Sequence, residues 1–136
     1  MINIYQYCIL QGDYFSPSLA EAKTGITFSK KNEPGDVGNV GRYRGKSIPY
    51  GSAEIIALNE KGNEDSIDFI VNILDKYCEI FRSCGADNIV LHFVISYIDQ
   101  CDFEFSPEFI NKLAKLKIVF AITCYPETDA SGEYKP

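Results

Sequence analysis

A chain of 136 residues with a formal charge of -6 and 46% hydrophobic residues is the size of one domain, with enough apolar content to build a core without staples. Its opening, MINIYQYCILQGDYF, has no basic stretch ahead of an apolar one, and no apolar run approaches the ~18 residues of a membrane span. Secreted and membrane-spanning classes are therefore set aside, and a cytoplasmic protein with no membrane partner is expected.

Residues 2–10, INIYQYCIL, alternate and are rich in aromatic and β-branched types, which predicts a strand. Ser16 and Pro17 then stand in the order that starts a helix, and Gly25 stops it. Residues 26–30 read as a second strand. Residues 31–51 break every period with five glycines and two prolines, which predicts a long, irregular excursion. Residues 52–58 read as a strand.

The clearest element is a helix over 64–84. Ile67, Ile70, Val71, Leu74, Tyr77, Cys78 and Phe81 recur at steps of three and four and so share one face. Residues 88–98 are apolar on both faces, as in a central strand. A short strand over 102–105 leads to Ser106 and Pro107, which start a third helix. Residues 117–125 form the last strand.

This order predicts an α+β fold: a ferredoxin-like β-α-β-β-α-β antiparallel or mixed sheet, extended by a C-terminal α-β unit, with three helices on the sheet. One domain over 1–126 is expected, followed by a flexible polar tail over 127–136. The triplet Phe-Ser-Pro occurs at 15–17 and again at 105–107, each time between a strand and a helix. An internal duplication and two independent uses of the same cap both account for it.

Little points to catalysis. The five cysteines form no C-x-x-C pair and are read as reduced, mostly buried thiols. With one histidine in the chain, no metal, cofactor or catalytic residue is expected. His92 shares a face with Val90 and Val94 and reads as a satisfied histidine in a sheet. Arg44 to Ser47, RGKS, resembles the end of a phosphate-binding loop, but Val40 stands where that motif needs glycine, and no helix can begin at Ile48-Pro49.

Charge is the more informative signal. Residues 1–46 carry a net +2 and the remainder -8. The acids gather in two groups, Glu60, Glu64, Asp65 and Asp68 before and within the long helix, and Asp99, Asp102, Glu104 and Glu108 after the central strand. Helix dipoles and caps account for some of them. Such a surface repels nucleic acid and suits a basic protein partner. Arg42, Tyr43 and Arg44, in the glycine-rich excursion, are residue types common at binding hot spots and are the other candidate contact group.

GDYFSPSLAEAKTGITFSKKNEPGD, the long helix, and DFEFSPEFINKLAKLKIVFAITCY together resemble the bacterial domain-of-unknown-function 4279 family. In that family a strand leads into a helix opened by Ser-Pro or Asp-Pro, then a Gly-Ile turn into a strand, a Gly-Asp or Gly-Glu loop, and near its end a segment with Phe and Ser-Pro leading into a strand. Gly25-Ile26, Gly35-Asp36 and Phe105 through Tyr125 hold the equivalent places, within a resemblance spanning about residues 4–125. The tryptophan usual after that Gly-Asp loop is missing here. The resemblance implies a small bacterial protein similar to the immunity proteins of polymorphic and contact-dependent growth inhibition toxin systems, and it carries no catalytic residues.

The expected function is therefore that of an immunity protein, or antitoxin. It binds a cognate toxin domain, a basic nuclease, and covers the toxin's active site with an acidic surface. The alternative is a small-ligand-binding or regulatory domain using the glycine-rich excursion. The sequence leaves the oligomeric state open.

Overall fold

A computed structural model of the protein describes residues 2–57 and 67–127. In chain order the elements are β1 (Ile2–Gly12), α1 (Pro17–Thr24), β2 (Lys30–Asn32), β3 (Gly51–Ala57), α2 (Phe69–Ser83), β4 (Asn88–Tyr97), α3 (Pro107–Leu116) and β5 (Val119–Pro126). The fold is α+β. One five-stranded mixed sheet runs β2-β3-β1-β4-β5, antiparallel throughout except for the parallel pair β4 and β5.

The strand period of two decides what the sheet buries. Cys8 and Leu10 of β1, Ala53 and Ile55 of β3, and Leu91, Phe93 and Ile95 of β4 all lie in the core. Against them pack Ile70, Val71, Leu74, Cys78 and Phe81 of the predicted stripe, while its other two members, Tyr77 and, ahead of α2, Ile67, are only partly buried. Ala20 of α1 and Phe109 and Leu116 of α3 complete the helix layer. Phe93 carries the α3 end of the core, with ring centroids 6.0 Å from Phe109 and 5.1 Å from Phe120.

Both Phe-Ser-Pro segments are helix caps. The Ser16 hydroxyl accepts from Leu19 N–H at 3.3 Å, the Ser106 hydroxyl from Phe109 N–H at 3.1 Å, and each proline opens its helix. Their topological settings differ. α3 joins neighbouring parallel strands, whereas α1 joins β1 to β2 across the intervening β3.

Two predicted strands are corrected. Residues 26–28 form no strand, and two of their N–H groups are tied to α1: Ile26 donates to Thr24 Oγ1 at 3.2 Å and Phe28 to Glu21 Oε2 at 2.9 Å. Sheet pairing begins only at Ser29, whose N–H reaches Glu54 O at 3.0 Å, and β2 falls over the start of the predicted excursion. Residues 102–105 form no strand either, since β1 and β5 already occupy both edges of β4. Leu58, residues 64–66 of the predicted long helix and residues 128–136 of the predicted tail lie outside the described residues.

At one end of the sheet the backbone closes so tightly that only glycine fits. A Cβ on Gly51 would stand 1.8 Å from Phe15 O, and one on Gly12 2.0 Å from Gly85 O. This contact seats the start of α1 and the α2–β4 turn on the ends of β1 and β3.

Candidate partner-binding surfaces

Register sorts the predicted contact residues by end. Gly12 pairs with Gly51 and Ile2 with Tyr97, so the start of β3 and the end of β4 lie at opposite ends of β1. A ten-residue strand such as β4 separates those ends by about 30 Å.

The segment 98–106 leaves β4 at the Tyr97 end. It alternates DFEF so that Phe103 and Phe105 turn inward while Asp102 and Glu104 stay exposed. Phe105 stacks on Phe109 at 5.1 Å and meets Phe120 edge-on at 5.5 Å, which pins the acids outward. Asp99 takes a left-handed conformation, φ 68°, and the Gln100 amide donates to Asp102.

Because α2 runs back toward the Gly85 turn, its exposed N-cap residue Asp68 falls at this same end. Glu108, in the first turn of α3, joins it. So does Glu127, whose N–H donates to Tyr97 O at 2.8 Å and whose carboxylate accepts from Asn3 Nδ2 at 2.8 Å and Ser96 Oγ at 3.0 Å. The structure thus brings Asp68, Asp99, Asp102 and Glu104 to one end of the sheet. Glu60, Glu64 and Asp65 lie outside the described residues.

Arg42, Tyr43 and Arg44 lie at the other end. The excursion closes on itself: Gly35 N–H donates to Ile48 O at 2.7 Å, Gly38 N–H to Lys46 O at 2.9 Å, and Lys46 N–H to Tyr43 O at 2.8 Å. Arg42 sits 5.6 Å over the Tyr43 ring, which meets Tyr50 edge-on at 5.9 Å. Arg42, Arg44 and Lys46 are exposed. The acidic and the Arg-Tyr groups therefore do not form one surface.

Sequence reasoning missed a third feature, the sheet face away from the helices. Tyr5, Tyr7, Ile9, Ile56, Val90, His92 and Val94 alternate with the core residues and are half-buried or exposed. In its centre the Tyr7 hydroxyl lies 3.0 Å from His92 Nδ1, and Thr123 Oγ1 lies 2.7 Å from Nε2. The signal was Tyr5 and Tyr7 at period two in a strand whose other face, Gln6 apart, is apolar.

Chemically this bridge orders a hydroxyl, an imidazole and a phenol. A neutral phenol does not stabilise an imidazolium as a buried carboxylate does, so the bridge ties three strands together without activating Thr123. The Cys8 thiol is fully buried, and burial, then Cys78, push its pKa up, which leaves it inert. Among the described residues no group of His, Cys, Asp and Glu could hold a metal ion. No helix of the described residues is long and apolar enough to cross a membrane. No family model, curated protein or solved structure matches the chain.

Proposed function

We propose that this protein acts by binding and not by catalysis. It is an immunity protein of the bacterial cytoplasm, which neutralises a cognate toxin domain with a basic surface, such as a nuclease. The observation that carries this reading is the gathering of Asp68, Asp99, Asp102 and Glu104 at one end of the sheet, with Arg42 and Arg44 held about 30 Å away. An acidic end of this kind steers a cationic partner toward it. Phe103 and Phe105, packed beneath the acids, hold that end in shape before the partner arrives, which lowers the ordering cost of binding.

The finer fold assignment belongs here too. We read β1-α1-β2-β3-α2-β4 as a ferredoxin-like split unit, with α3 and β5 added beside β4. The mutual antiparallel pairing of the first four strands supports that reading.

The test is co-expression with the C-terminal domain encoded immediately upstream of this gene, scoring growth and complex formation. Growth rescue with a tight complex, weakened by Asp102→Lys and Glu104→Lys together, is the expected result. A failure of both rescue and binding would remove the immunity reading.

A further inference from the structure

The cysteines divide by access. Cys8, Cys78 and Cys84 are buried, whereas Cys101 is half-buried and Cys124 exposed. The fold brings these last two together.

After β4, burial alternates along the chain: Cys101, Phe103 and Phe105 turn inward, and Asp102 and Glu104 outward. β5 alternates as well. Thr123 bonds His92 on the open face of the sheet, so Phe120, Ile122 and Cys124 point to the helix side, where Phe120 meets Phe93 at 5.1 Å.

Two contacts set these rows against each other in opposite directions. At one end Phe105 meets Phe120 edge-on at 5.5 Å. At the other, Tyr97 lies opposite Pro126, and its carbonyl accepts from Glu127 N–H at 2.8 Å. Cys101 stands between Tyr97 and Phe105, four residues before the latter, and Cys124 stands four residues beyond Phe120. The two thiols therefore face each other and are hydrogen-bonded, with Cys101 packed against the edge of the core.

We propose that Cys101 and Cys124 are a redox modification site, a dithiol that closes to an intramolecular disulfide by exchange with a low-molecular-weight disulfide such as oxidised glutathione. Exposure gives the first attack to Cys124. Its thiolate joins one sulfur of the small disulfide and expels the other as a thiolate, which takes up the proton that Cys124 released. Cys101 then gives up its proton and attacks Cys124 Sγ. The protein disulfide forms as the bond to the small molecule breaks, and the second thiolate leaves with that proton. Two protein thiols are oxidised and one small disulfide is reduced to two thiols.

The bond closes a loop that takes in α3 and β5 as far as Cys124, and it ties the segment carrying Asp102 and Glu104 covalently to the sheet. In the reducing cytoplasm proposed above, such a link is transient, which suits a reversible switch and not a permanent staple. Cys8, Cys78 and Cys84 stay reduced, because a buried thiol meets no oxidant.

The full-length protein, with no partner present, is equilibrated in mixtures of reduced and oxidised glutathione, and its free thiols are trapped by alkylation. Peptide mass spectrometry then gives the fraction carrying a Cys101–Cys124 link, in native buffer and in urea sufficient to unfold the chain. The ratio of the two closure constants measures how far the fold itself aligns the thiols. The expected ratio is about 30-fold or more, with the other three cysteines alkylated in native buffer. A smaller ratio, or glutathione adducts on Cys101 and Cys124 in place of the link, overturns the proposal.

A displaced thiol tests the facing of the rows. Cys101→Ser with Asp102→Cys keeps a cysteine one residue away but turns it outward. Its link to Cys124 should form with a lower ratio than the wild-type link. An equal or larger ratio also overturns the proposal, since any nearby thiol would then serve. Neither measurement involves a toxin, so either can fail while the immunity reading stands.

Discussion

Tyr7 and His92 lie opposite each other across β1 and β4, their rings stacked at 5.0 Å and the phenol oxygen 3.0 Å from Nδ1. The next residue along, Phe93, turns to the other face and is fully buried. Adjacent positions on one strand thus differ in what a deletion removes. His92→Ala opens a half-exposed face where water replaces the lost bonds to Tyr7 and Thr123, costing about 1 kcal/mol. Phe93→Ala leaves a cavity among Phe105, Phe109 and Phe120, costing about 3–5 kcal/mol. Urea denaturation of both variants checks this. A His92 variant at least as damaging as the Phe93 variant would contradict a merely bridging role for the imidazole.

Gly51 makes the closest approach among the described glycines. Any Cβ there meets the Phe15 carbonyl at 1.8 Å, so the start of α1 must move away from β3. Gly51→Ala should cost about 3 kcal/mol. Gly35 is a useful contrast. Its φ of +94° strains a side chain, but nothing lies within 4 Å of its Cβ position. Gly35→Ala should therefore cost only about 1–2 kcal/mol. Thermal melts of the pair should rank them in that order, and equal losses would mean that the close approach at Phe15 relaxes freely.

Glu21 provides a pH signature. The Lys31 ammonium, then the Phe28 N–H, hold its carboxyl below the usual glutamate range. A folded-state pKa lower than the unfolded one contributes stability above the unfolded value, and that contribution is lost as pH falls through the folded one. Glu21→Gln retains an acceptor for Phe28 but removes the charge facing Lys31. The variant should be less stable than wild type at neutral pH and indistinguishable from it once carboxylates are protonated. A difference persisting undiminished into strong acid would show that packing, and not ionisation, is responsible.

How far the sequence revealed the fold follows from which interactions are local. The caps at Ser16-Pro17 and Ser106-Pro107, the stop at Gly25 and the stripe from Ile70 to Phe81 are decided within a few residues, and all were legible. Residues 26–28 and 102–105 have strand-like composition, but pairing depends on which edges remain vacant, and that is set elsewhere in the chain. Phe103 and Phe105 alternate with Asp102 and Glu104 as a strand would, yet the aromatic rings serve the α3 core. The Gly51 contact was hidden for the same reason, since its partner Phe15 is distant in sequence. Among site residues, the acids were legible as a group, but their distance from Arg42 and Arg44 required the register of β1 with β3 and β4.

That separation yields the most direct functional prediction. Charges at opposite ends of a sheet about 30 Å long are several Debye lengths apart at physiological salt, so a partner docked at one end is nearly blind to the other. If the partner is a basic protein domain, as proposed, Asp102→Lys with Glu104→Lys should slow association about tenfold at low ionic strength. The deficit should shrink as salt is added. Arg42→Glu with Arg44→Glu should leave the rate unchanged or slightly faster. Stopped-flow association across a salt series separates the cases. If the arginine variant proves the slower one, the partner docks on the glycine-rich excursion and the acidic end is only a solvated face.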